Sequence, residues 1–153
     1  MSEDCSAENS PDSEPVDNGF TLIEIMVVIA IIGIIIAVAV PNLMRAKHSA
    51  NAASAIGSLR TITTAESLYE NRYSGYGTLT LLSPEGTLDT NLQSGYKSGY
   101  SFTVAVTADL KHFAANADPV ETIALLPHYF VDESAIIRVK TGAPADAGST
   151  PIQ

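Results

Sequence analysis

Glu24 is the only charged residue between Asp17 and Arg45, and it stands at the head of a run, Ile25 to Val40, in which every residue is apolar or glycine. An ionised carboxylate placed in hydrocarbon costs about 2.5 to 3.5 kcal/mol even on a lenient insertion scale, so Glu24 calls for a partner or a function. A second account needs neither, because a carboxylate in the first turn of a helix is favoured by the helix dipole and can snorkel to a membrane interface. Other groupings with chemical potential are absent from the sequence. His48, His112 and His128 are scattered without i, i+3 or i+4 spacing and have no cysteine beside them, which argues against a metal site or a catalytic dyad. No Gly-x-Ser-x-Gly, P-loop or paired-carboxylate motif occurs, so neither enzyme activity nor a cofactor is expected.

The elements that must carry Glu24 follow from hydropathy. Counted from Phe20 to Val40 the segment has 21 residues, which at the helical rise spans roughly 30 Å, about one bilayer core. The pattern predicts a membrane helix. Pro41 then removes the hydrogen bond to the carbonyl of Ala37 and is expected to kink the rod. Residues 41–73 return to helical character, rich in alanine, with Ile56, Leu59 and Ile62 near one face. Gly33, eight residues before Pro41, is a second weak point in the same helix, or a packing residue that lets helices approach.

Residues 74–99 hold five glycines and Pro84 and read as a long connecting loop. Over 100–140, Tyr100, Phe102, Val104 and Val106 alternate with small or polar residues, giving a half-buried strand with a partner near Lys111 to Asn116. A second hairpin is expected from Tyr129 to Val131, the turn Asp132-Glu133-Ser134 and Ile136 to Val139. Residues 141–153 read as a flexible tail. The fold class is α+β: a long N-terminal helix packed against an antiparallel sheet of about four strands. Tyr69, Tyr73, Tyr76, Tyr96 and Tyr100 fall within or beside the loop, where they either contact other subunits or pack the loop onto the sheet.

Composition sets outer bounds. The 153 residues suit one domain. Residues 1–18 are acidic, rich in Ser, Asp, Glu and Pro, and read as disordered. They hold six of the 17 acidic residues and none of the 8 basic ones, so the rest of the chain has 11 acidic against 8 basic. Non-specific nucleic-acid binding is not favoured by that balance. Cys5 is the only cysteine, so no disulfide can staple the region beyond it. An ordinary signal peptide competes for the N-terminus, since Ala37-Val38-Ala39 has the small-x-small form of a cleavage site. The apolar run is longer than a usual h-region and no positive n-region precedes it.

The string GFTLIEIMVVIAIIGIIIAVAVPN, from Gly19 to Asn42, resembles the class III signal and N-terminal helix of type IV pilins and type II secretion pseudopilins. The resemblance implies a leader, 1–19, removed by a prepilin peptidase between Gly19 and Phe20, with N-methylation of Phe20. It implies a transmembrane and assembly helix, 20–40, with Glu24 as the assembly residue pairing with the new ammonium of a neighbouring Phe20, and Gly33 and Pro41 as sites of helix flexibility. The implied function is a structural subunit of a pilus-like filament, first held in the inner membrane by lipid and then lifted into an extracellular or periplasmic homopolymer. The implied partners are further copies of the chain, the peptidase, and an inner-membrane platform with a cytoplasmic ATPase. A pseudopilin of type II secretion, or a membrane-tethered binding or adhesion domain, is the alternative. The acidic leader departs from the basic leaders usual in that family. Together with Arg45 and Lys47 it would place the C-terminal side inside by the positive-inside rule, whereas the resemblance requires the reverse.

Overall fold

The computed structural model describes residues 19–83, 88–123 and 125–152. The leader up to residue 18, with Cys5, lies outside the described residues, as do Pro84 and Gly86 of the connecting loop. The chain divides into two units at Val40 and Pro41.

Helix α1 is assigned from Leu22 to Tyr73 and includes Pro41. From Ile25 to Val40 it is apolar on every side, and each residue from Phe20 to Val40 is exposed in the single chain. This helix is long and apolar enough to cross a membrane. From Pro41 onward α1 is amphipathic. Ala55, Ser58, Leu59, Ile62, Ala65 and Glu66 are buried, a stripe at the three- and four-residue spacings that a helix lays along one face. On the rest of that part, Thr61, Thr63, Thr64 and Ser67 turn their hydroxyls back onto the carbonyls of Gly57, Leu59, Arg60 and Thr63.

The sheet has six strands in chain order, β1-β2-β3-β4-β5-β6, every pair antiparallel. They are β1 Tyr96–Lys97, β2 Tyr100–Val106, β3 Phe113–Pro119, β4 Pro127–Asp132, β5 Arg138–Thr141 and β6 Thr150–Pro151. Alternation along β3 buries Phe113, Ala115 and Ala117. These, with Tyr100, Phe102, Tyr129 and Val131, form one core with the buried stripe of α1. The α+β class with a helix on an antiparallel sheet is as the sequence predicts.

Six strands replace the four expected, and both additions have local causes. Strand β1 pairs with β2 through the two-residue turn Ser98-Gly99, where φ is +50° and +75°, the signs that a type I′ hairpin turn needs. Strand β6 lies in the stretch read as a flexible tail. Asp146 organises the approach to it by accepting from Gly148 N–H at 2.9 Å and Ser149 Oγ at 3.0 Å, and the side chain of Ala145 is buried. The loop over 74–99 is also more regular than its glycines suggest. It holds α2, Leu79–Leu82, and α3, Thr90–Gln93, whose start is capped by Asp89 accepting from Leu92 N–H at 2.8 Å. Leu82, Leu88 and Leu92 anchor it in the core.

Candidate assembly site at the amino-terminal helix

Gly19, Phe20 and Thr21 precede the first helical residue. Phe20 is 82% exposed, and a Cβ added at Gly19 would meet nothing within 4 Å. The Gly19–Phe20 peptide therefore sits in exposed, non-helical chain just before the helix starts.

Thr21 and Glu24 close a reciprocal cap on that helix. Thr21 N–H and Thr21 Oγ1 both donate to Glu24 Oε2 at 3.0 Å, and Glu24 N–H donates to Thr21 Oγ1 at 3.3 Å. This is a capping box: the N-cap hydroxyl satisfies a backbone donor one turn in, and the acid satisfies the N-cap's own donor. Sequence reasoning gave Glu24 the helix dipole, a snorkelling path or a neighbouring ammonium and missed its partner within the chain; the signal was the Thr-x-x-Glu spacing of Thr21-Leu22-Ile23-Glu24. Both bonds from Thr21 fall on Oε2. The carboxylate is thus oriented at the end of the helix where cleavage at Gly19 would create an ammonium.

Gly33 lies on the apolar part of α1, and a Cβ there would meet nothing within 4 Å. Among the described residues nothing requires a glycine at that position. Pro41 is helical and begins the second unit. The three histidines are not brought together: His112 pairs with Glu133 at 2.7 Å, His128 with Asp118 at 2.6 Å, and His48 lies on α1. Among the described residues no group of three metal-ligating side chains forms.

Residues 16–40 match the prokaryotic N-terminal methylation motif. That match takes in the Gly19–Phe20 junction and the apolar part of α1. Relatives of the chain include the type IV major pilin protein of Myxococcus xanthus, 36% identical over 46% of this chain and 34% of that protein. They also include the type II secretion system core protein G of Pectobacterium carotovorum, 43% identical over 36% of this chain and 37% of that protein, and that of Escherichia coli, 44% identical over 34% and 36%. The chain spans about a third of the length of the curated relatives it matches. No solved structure matches it significantly.

Proposed function

We propose that this chain is a structural subunit of a type IV pilus-like filament, with no enzymatic role. The observation that carries the reading is an exposed, all-apolar helix headed by a single oriented carboxylate and preceded by an open Gly-Phe junction inside a methylation motif. Prepilin peptidase cuts after Gly19, and Phe20 becomes the methylated amino terminus. The subunit waits in the inner membrane, where lipid covers the apolar helix. On assembly, neighbouring helices replace lipid, and Glu24 faces the ammonium of a neighbouring Phe20. In a low-dielectric bundle an unpaired charge is far more costly than the pair is favourable, so the pair sets axial register more than it adds net attraction. Gly33 and Pro41 are the places where the helix yields during that transfer.

The test is Glu24→Leu in a host with the assembly machinery. Membrane insertion and cleavage should persist, because the segment becomes more apolar. Sheared filament per processed subunit should fall at least tenfold, since breaking a buried pair costs about 3 to 5 kcal/mol. Equal filament yield at equal processed subunit would sink the register role.

A second reading is supported by three of the relatives being type II secretion core proteins G, at 42 to 44% identity over their matched spans. In that case the filament is a short periplasmic one. Deleting the gene would then abolish exoprotein secretion, and surface filaments under electron microscopy would be unaffected.

A further inference from the structure

Glu66 is a buried acid that assembly through the apolar helix does not use. It sits on the core face of α1 and is fully buried. Its Oε2 accepts from the backbone N–H of Gly77 at 2.9 Å, while Oε1, equally buried, has no hydrogen-bond partner. The segment Gly75–Gly77 that it reaches is threaded between two surfaces. Tyr76 N–H donates to the carbonyl of Leu110 at 2.9 Å, and the Tyr76 ring lies 4.9 Å from that of Phe113. Gly75 is pressed against Leu110 and Gly77 against the ring of Tyr69, so that added Cβ atoms would approach to 2.8 Å and 3.1 Å.

An ionised carboxylate away from water needs several donors, and this site offers one to one oxygen and none to the other. A neutral acid needs less: its carbonyl can accept from Gly77, and a single uncharged hydroxyl is left without a partner. We propose that Glu66 and the Gly75–Gly77 segment form a proton-controlled latch, in which the neutral acid holds the segment on α1 and ionisation releases it.

The electrostatics agree. Burial pushes the Glu66 carboxyl up, the Gly77 bond brings it only part of the way back, and it titrates at about 7. The ionisable groups placed around the latched segment are Tyr69 against Gly77, Glu70 and Glu133 acting on Tyr76, Lys111 at Ser74, and His112 on Glu133. The Tyr76 hydroxyl is pushed up first by its burial and then by the negative charges of Glu70, Glu133 and Glu66. Lys111 Nζ donates to the carbonyl of Ser74 at 3.0 Å, and His112 is taken by Glu133. Among the described residues none of these cations forms an ion pair with Glu66, so burial is opposed only by the Gly77 bond. The latch does not depend on the filament reading.

The experiment is amide hydrogen exchange on the full chain in detergent micelles at pH 5 and pH 8, corrected for intrinsic exchange. If opening restores an ordinary carboxyl, protection at Tyr76 and Gly77 should fall about ten- to a hundredfold over that interval. Glu66→Gln keeps an acceptor for Gly77 and removes the charge, so its protection should be equal at both pH values. His112→Gln should behave as the wild type; if it loses the dependence, the sensor is the His112–Glu133 pair and the proposal fails. Wild-type protection that is constant with pH, or a Glu66→Gln variant that tracks the wild type, would also overturn it. Should Glu66→Gln fail to fold, carbon-13 titration of the wild-type Glu66 carboxyl decides: a midpoint near 7 supports the latch and one near 4.5 removes it.

Discussion

At the scale of the residue, the two partners in the capping box have separable duties. Thr21→Val removes the hydroxyl that both donates to Glu24 and accepts from its N–H, yet leaves the carboxylate charge in place. Loss of such a cap costs about 0.5 to 2 kcal/mol of helix stability. A filament yield within about twofold of wild type is expected for Thr21→Val, against the large loss for Glu24→Leu; similar losses would make the role of Glu24 local. Glycines give a second contrast. Gly57 is an exposed residue in mid-helix with nothing within 4 Å of an added Cβ, so Gly57→Ala should stabilise the second unit by about 0.5 to 1 kcal/mol. Gly75→Ala would place a Cβ 2.8 Å from the Leu110 Cβ and 3.2 Å from its carbonyl oxygen. Thermal denaturation should show it destabilised by about 1 to 3 kcal/mol, as in other overpacked sites. Glu24 stood out in the sequence because one charge in an apolar run is conspicuous, but its capping bonds to Thr21 did not. Glu66 did not stand out, because an acid among alanines and threonines looks like solvated helix surface until the fold buries it.

At the scale of the element, long signals were readable and short ones were not. The extent of α1 follows from composition over tens of residues, and β2 from clean alternation. Strands β1 and β6 have two residues each, too few for any period to register. Their existence rests on turn chemistry, Ser98-Gly99 for one and the Asp146 turn for the other. A chain truncated after Thr141 would leave β5 at the sheet edge and strip the Ile152 N–H bond to the Ile137 carbonyl, 2.8 Å long. Its melting temperature should fall by several degrees, the shift that about 1 kcal/mol produces in a domain of this size. No change would mean that the C-terminal strand adds nothing to the sheet.

At the scale of the whole molecule, stability should peak in mildly acidic solution. Glu66, with its raised carboxyl, contributes stability that is fully present below its unfolded value of 4.5 and is lost as pH rises through about 7. His112, raised chiefly by its hydrogen bond and attraction to Glu133, acts in the same direction, and its contribution fades as pH rises past its folded value. Asp89, Asp109 and Asp146 oppose them. Each is held below the ordinary aspartate range by hydrogen bonds, to Lys97, Thr107 and Ser149 first, so their contributions are lost as pH falls below about 4. Melting temperatures in detergent micelles across pH 3 to 9 should therefore be highest near pH 5; a maximum at pH 8 would contradict the sign of the Glu66 and His112 shifts. The same two-residue strands that escaped the sequence reading bear on how copies of the second unit behave at high local concentration. They are the outer strands of the sheet, and β6 ends in Pro151, which has no N–H to offer. Sheets that end in long, flat strands recruit one another into cross-β aggregates. A second unit whose sheet borders are this short would tolerate the crowding of the filament proposed above without templating that kind of self-association.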